Sequence, residues 1–491
     1  MTPPAAVRGE RMSAVDRAWL EMDEPNNPMV VSAVLDLDGV NDVQDLVGHV
    51  VTRLSAYPRF RQRVDRSVEP PVWRDAGELS LPYHVRIYHL TEDRPEHGIT
   101  EAVAREVGTA LDEQHPLWRL TVFMRDAGRV TVLFRAHHAI ADGMALVGVL
   151  MRCTDTPVPD REMEARLVVR RLFERLDRAA GTLQAALRVV RDRAGWRERV
   201  AMPLRQGRET ALAFGRVLSL PQDNPGCLRR PLCGERRVAW SAALPLAPIK
   251  TRARRLGVKI NDLFLAALAG AMGRYLRETP GNADAANLRI SIPVNLRKPA
   301  DGELGNCFGL VLLDLPVEEI GWRERVALVG RRMAALKRSP EARATLLGLA
   351  AAGRLPVAWE KSLVNYLAGK AAAVVSNLPG PQHALTIAGA RIGNLVFWPP
   401  QTAGIGVGIS LFSYDGRVTV GVSADRALLD DPARLVALFE DELMLILHPR
   451  KHAARRSRPA RLRTGPSTAR PPLPAPVRVP APARPAQARR G

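Results

Sequence analysis

Residues 131–150 read TVLFRAHHAIADGMALVGVL, and this stretch decides the fold. Its opening alternates, with Val130, Val132 and Phe134 set against Thr131, Leu133 and Arg135, which is the period of a strand. The alternation stops at His137-His138. Asp142-Gly143 supplies a tight turn, and an apolar helix runs on from Asp142. Strand, turn and helix in that order mark the joint of a mixed α/β unit. Adjacent side chains on an extended segment point to opposite faces, so the two histidines cannot share a task. One looks into the fold and the other into a cleft. A neutral imidazole at a strand end, oriented by its neighbours, is well placed to take a proton near neutral pH.

Blander readings compete. A single buried histidine is more often a satisfied polar group than a catalyst. His137, His138 and Asp142 also offer N, N and O ligands to a metal. Opposed faces argue against that, as does the lack of the i, i+4 histidine pair that zinc hydrolases place on one helix face. No metal is expected. The complete pattern H-H-x-x-x-D-G favours catalysis, because it resembles the signature of the coenzyme A-dependent acyltransferase superfamily. That superfamily includes chloramphenicol acetyltransferase, carnitine acyltransferases and peptide-synthetase condensation domains.

Length and charge bound the rest. A chain of 491 residues is long for one core, and two domains plus appendages are expected. No run of 18 apolar residues suggests a transmembrane helix, and the start lacks the apolar core of a signal peptide. Cys153, Cys227, Cys233 and Cys307 show no C-x-x-C spacing, which fits a reduced, cytoplasmic protein. The net charge is +20, and all but one unit of it falls in residues 161–219 and 450–491. Such basic appendages attract anionic membrane, acidic lipid or nucleic acid. The tail carries no aromatic residue for base stacking, so nucleic acid is not expected as a partner.

The expected divisions are a flexible N-terminus (1–11), a first domain (12–154), a basic helical linker (155–225), a second domain (226–449) and a disordered Pro/Ala/Arg-rich tail (450–491). In the second domain, Lys259-Ile260-Asn261-Asp262 opens a long apolar helix. Residues 371–381 read as a buried strand ended by a Pro-Gly-Pro turn, and Asp415-Gly416 as a hairpin turn. Gly404, Gly406 and Gly408 alternate inside a strand pattern with no helix following, which excludes a dinucleotide fingerprint.

Along residues 12–447 the chain resembles the bacterial wax ester synthase/acyl-CoA:diacylglycerol acyltransferase family. The matching pieces are VDRAWL near the start, YPRFRQRV, Trp73, YHV at 83–85, PLW at 116–118, HHAIADG at 137–143, ND at 261–262, PVNLR, GNCFG, SNLPGP at 376–381, and SYDG with the later ADR. The resemblance implies two chloramphenicol-acetyltransferase-like α/β domains, with mixed sheets flanked by helices and a substrate tunnel at their interface. Acyl-CoA would be the co-substrate, with no cofactor, and diacylglycerol or a long-chain alcohol the acceptor. His138 would be the general base and His137 would fix the geometry from the other face. Asp142, paired with a cation, would hold the turn beside Gly143. Asn261 would line the catalytic centre or cap its helix. Pro116, Leu117 and Trp118 would shape the tunnel or pack as plain core, and SNLPGP reads as structural. Two departures stand out: Asp23 where the family often has Glu, and Met29-Val30 where it often has Met-His. The basic appendages would hold the enzyme peripherally on an anionic membrane or lipid-body surface. Two competitors remain at this level: a condensation-type transferase using carrier-bound acyl groups, and a catalytically silent lipid-associated protein.

Overall fold

Val130–His137 is buried along its whole length, so it needs apolar cover on both faces and strands on both edges. It receives them at the centre of a six-stranded sheet. The order across that sheet is Thr386–Ile387, Ala390–Trp398, Val30–Asp38, Val130–His137, Trp118–Met124 and Val85–His89. Only the last pair runs parallel. The computed structural model describes residues 9–90, 97–125, 128–156, 212–223, 226–279, 287–295, 308–352, 357–401 and 403–449. The expected basic linker over 157–211 and the tail over 450–491 lie outside the described residues.

A second sheet runs Phe308–Pro316, Asn287–Asn295, Ala373–Pro379, Val407–Tyr414, Arg417–Asp425 and Arg236–Trp240, with Leu244–Pro245 pairing the end of Arg417–Asp425. Ala373–Pro379 is parallel to both its neighbours. The helices Ile260–Glu278 and Pro432–Leu447 cover its outer face, and their buried residues share one core with Ile409, Leu411, Val420 and Val422. Asn261 does not cap the first of these helices. Lys259 holds the N-cap position, and the Asp262 carboxylate accepts its backbone N–H at 3.1 Å. An acidic side chain in the first turn satisfies an otherwise orphaned amide there.

The two halves are not sequential blocks. Thr386–Trp398 leaves the second half and adds two strands to the first sheet, pairing Arg391–Trp398 with Asp38–Ser32. The last four residues, Leu395–Trp398, are all buried, so the strand must be covered on both faces. Between the sheets it meets that need, and Phe397 lies 5.0 Å from Phe412 of the second sheet, ring centre to ring centre. Residues up to His448 accordingly form one compact unit. Two residues of the start expected to be flexible, Glu10 and Arg11, are in fact paired in the fold. Glu10–Arg11 pairs with Val72–Trp73, Arg59 bonds Glu10, and glycine at position 9 lets the chain lie against Val72.

Among the described residues no single helix is long and apolar enough to cross a membrane. The bent pair Leu246–Leu256 and Ile260–Glu278 passes on length and composition together, but its longer member is buried in the second core.

Candidate active site

The turn after Val130–His137 is built by hydrogen bonds at every step. His137 N–H donates to the Leu117 carbonyl at 2.9 Å, and His138 N–H to the Met29 carbonyl at 2.8 Å. Asp142 is the N-cap of the helix Gly143–Arg152, its carboxylate accepting the Ala145 N–H at 2.9 Å. Capping is therefore one way in which Asp142 holds the turn, and a short polar residue at this position is what the helix start requires. Gly143 follows within van der Waals reach of Leu378, from which a Cβ would stand 3.8 Å.

The histidines part company as strand geometry demands. His137 is buried, and its Nδ1 accepts the Ala139 N–H at 3.1 Å. The ring proton of the neutral form then sits on Nε2, which lies 3.5 Å from Asp23 Oδ1. The same Asp23 oxygen accepts the Met29 N–H at 2.6 Å. One carboxylate thus ties the entrance of the Val30–Asp38 strand to the histidine turn. Sequence reading noted Asp23 only as a departure from a family Glu. Its role follows from the fold, which brings positions 23 and 137 together.

His138 faces the opposite way, into a cavity of about 290 Å³ between the two halves. Trp19, from VDRAWL, packs its indole on the His138 ring at 4.4 Å between centres. Asp142, Gly143 and Met29 also line it from the first half, while Ser376, Asn377, Leu378 and Pro379 contribute from the second. SNLPGP is therefore part of the site wall and not merely a structural turn. Its strand ends at the cavity, so the polar Ser376 and Asn377 fall where a ligand would lie. Asn377 also accounts for Asn261, which is not on the lining. Asn377 Nδ2 donates to Asn261 Oδ1 at 2.8 Å, so Asn261 acts one hydrogen bond behind the wall.

Pro116, Leu117 and Trp118 are also off the lining. Trp118 is fully buried, donates its indole N–H to the Phe60 carbonyl at 2.9 Å, and stacks on His84 at 4.3 Å. The Leu117 carbonyl supports His137, so PLW backs the histidine turn from the core. Among the described residues no cluster of three His, Cys, Asp or Glu side chains is arranged to hold a metal ion.

Residues 12–264 match the model of the wax ester synthase/diacylglycerol acyltransferase catalytic domain, and residues 304–447 the model of the WS/DGAT C-terminal domain. The chain belongs to the WS/DGAT family. Among its relatives is a putative diacylglycerol O-acyltransferase of Mycobacterium tuberculosis H37Rv, 28% identical over 454 residues, which span 87% of this chain and 94% of the relative. A probable diacylglycerol O-acyltransferase of the same organism is 25% identical over 470 residues, covering 91% and 98% of the two chains. The wax ester synthase/diacylglycerol acyltransferase of Marinobacter aquaeolei VT8 shares the fold with a TM-score of 0.63 at 19% identity, covering 89% of this chain and 98% of that one. A variant of the starter condensation domain of rhizomide synthetase, solved with C8-CoA and Leu-SNAC, superposes at 0.57 with 14% identity, over 89% and 94% of the chains. That likeness is one of fold alone. As a WS/DGAT family member, the protein is an acyl-CoA-dependent acyltransferase with the two-part α/β architecture of that family.

Proposed function

We propose that the protein esterifies diacylglycerol, or a long-chain alcohol, with the acyl group of acyl-CoA, and that His138 is the general base. The observation that carries this reading is the placement of His138 alone of the two histidines on an apolar cavity between the halves. Nδ1 of His138 is buried, so the exchange of protons falls to Nε2. As the acceptor hydroxyl loses its proton to Nε2, its oxygen attacks the thioester carbonyl carbon. The tetrahedral oxyanion collapses, the carbon–sulfur bond breaks, and the CoA thiolate leaves and recovers the proton. No acyl-enzyme and no cofactor take part. General-base assistance contributes roughly 10²–10⁴-fold, and alignment of the two substrates in the cavity supplies much of the remainder.

A lipid acceptor must come from a lipid phase, and one face of the protein suits contact with it. Trp359 is 71% exposed and Leu347 44% exposed. They sit on the helices Val357–Ala368 and Glu341–Ala352, whose other residues Thr345, Val364, Leu367 and Ala368 line the cavity. These exposed apolar side chains, together with the chain's basic appendages, support peripheral attachment to an anionic membrane or lipid-body surface.

The deciding experiment measures CoA thiol release from palmitoyl-CoA with diacylglycerol and hexadecanol as separate acceptors, for the protein and for His138→Ala. Acceptor-dependent release that vanishes in the variant is expected. Release that survives in His138→Ala removes His138 from the mechanism. Sedimentation with phosphatidylglycerol vesicles tests the surface, since Trp359→Ser with Leu347→Ser should weaken binding while leaving release from dispersed substrates intact.

A further inference from the structure

A charged nucleotide cannot follow an acyl chain into an apolar cavity, so the phosphates of acyl-CoA have to lie where the cavity meets solvent. Of the side chains that line it only Asn377 and Pro379 are exposed, which places the opening at the end of the strand Ala373–Pro379. There Asn377 donates to Asn261 at 2.8 Å, and Asn261 stands in the first turn of the helix Ile260–Glu278. Just before that helix the chain turns a corner. Gly257 adopts the left-handed conformation at φ 67°, its N–H donates to the Arg254 carbonyl at 3.1 Å, and the helices Leu246–Leu256 and Ile260–Glu278 meet at 97°.

The corner is basic without compensation. Residues 246–261 hold Lys250, Arg252, Arg254, Arg255 and Lys259 and no acid, in a body whose net charge is close to zero. Arg254, Arg255 and Lys259 are exposed, and none of them has a carboxylate partner among the described residues. The Asp262 carboxylate is engaged by the backbone N–H of Lys259. Cations on the adjoining helices are paired instead, Arg325 with Glu442 at 2.9 Å and Arg434 with Glu278 at 2.8 Å. Further along the first helix, Arg252 lies 5.1 Å over the Trp322 ring and Arg323 lies 4.5 Å over the same ring. Burial, then the charges of Arg323 and Arg255, lower the pKa of Arg252. Helix stability accounts for part of this charge, because a cation in a last turn suits the helix dipole, as Arg254 and Arg255 do. That account fails for Lys259. It holds the N-cap of the next helix, where the dipole disfavours a cation and Ser, Thr, Asp or Asn would serve better.

We propose that Arg254, Arg255 and Lys259 bind the pyrophosphate and 3′-phosphate of acyl-CoA, whose pantetheine arm runs past Asn377 to bring the thioester to His138. The proposal rests on the acyltransferase reading above. Its phosphates are held by cations at an exposed corner, so the attraction is screened by salt.

The test compares kcat/KM for palmitoyl-CoA with that for S-palmitoyl-pantetheine, which lacks the nucleotide and its phosphates, with 1,2-dioleoylglycerol as acceptor. It is run on the full-length protein and on a variant combining Arg254→Gln, Arg255→Gln and Lys259→Gln. The ratio of the two values should fall about tenfold in the variant, through KM for palmitoyl-CoA, since each exposed charge pair contributes only a few-fold. Added salt should bring the ratio of the unaltered protein toward that of the variant. A ratio that stays within about twofold overturns the proposal. If that unchanged ratio comes with lost sedimentation on phosphatidylglycerol vesicles, the corner is a membrane contact instead. Lys259→Ser gives a second readout and carries the test alone if the triple variant does not fold. Its ratio should fall while its Tm holds or rises, because Ser is the better N-cap. A lower Tm with an unchanged ratio would make Lys259 part of the helix frame and overturn its part in binding. Turnover by the unaltered protein keeps the two readings apart. If it turns over neither donor, the acyltransferase reading fails and the corner with it; if it turns over both and the ratio is unmoved by the substitutions, the corner alone is removed.

Discussion

The two faces of one strand, Val130–His137, bury polar groups in opposite ways. Toward one face Arg135 is wholly buried, its guanidinium donating to the Thr109 carbonyl at 2.6 Å and standing 3.7 Å from Glu106. Burial pulls that guanidinium down to about 10, against the pull of Glu106. Beyond the strand's end, His138 is nearly as buried but borders a cavity. Both groups were removed from bulk water. Arg135 is held by protein partners as part of the frame, whereas His138 borders an open cavity, where the proposed reaction would place the substrate.

Substitutions separate the two faces. His138→Ala should cost the most, about 10²–10⁴-fold in kcat with an unchanged thermal melt, because only the proton acceptor is lost. A variant with a large drop in Tm would show instead that His138 belongs to the frame. Arg135→Met should do the reverse, destabilising by about 3 kcal/mol as Glu106 loses a buried partner, with activity per folded molecule preserved. Chemical denaturation paired with active-site-normalised rates measures both quantities. Asp23→Ala tests how far the frame reaches the site. It unties Met29 and His137 while Asp23 itself lies off the cavity lining, and about a tenfold fall in kcat is expected from the misplaced turn. Asp23→Glu should keep most of the rate, and an equally inactive Asp23→Glu would count against a role in positioning.

The smallest effect concerns a third imidazole, wholly of the frame. His84 Nδ1 donates to the Trp118 carbonyl at 2.9 Å, and burial holds the ring's pKa down, from 6.5 to about 4. Its folded pKa lies below its unfolded one, so the folded state resists protonation. The contribution of neutral His84 is complete above about 6.5 and declines as the pH falls toward 4. Denaturant midpoints from pH 7 to 4 should fall less steeply for His84→Gln than for the unaltered chain. Parallel slopes would deny His84 any part in acid stability.

Much of this frame was legible in the sequence. The period-two pattern before His137, the Asp-Gly turn and the apolar run after it gave the strand, turn and helix, since each depends on residues a few positions apart; the capping role of Asp142 emerged only from the structure. The opposed histidines followed from strand geometry. What escaped depended on distant segments meeting. Asp23 acquires its meaning only because Val30, the residue after Met29, pairs with His137 across the sheet. SNLPGP looked structural because its Pro-Gly-Pro is a plain turn signal, while Ser376 and Asn377 become part of a wall only when the halves close. The strand Ala390–Trp398 was missed altogether. Its end is buried on both faces, so the alternation that marks a half-exposed strand is absent.

That strand bears on how such enzymes can be recombined. A family model that stops at residue 264 and another that starts at 304 invite treating the chain as two cassettes. The first cassette alone would lack its neighbour for Val30–Asp38, leaving that strand, which pairs with the one ending at the histidine turn, as a bare edge prone to pair with other chains. Grafting a new C-terminal half from a relative would import Thr386–Trp398 as well, and with it a new neighbour for Val30–Asp38. The second half and the catalytic sheet are therefore inherited together, and crossover points that divide them are expected to yield aggregates rather than folded chimaeras.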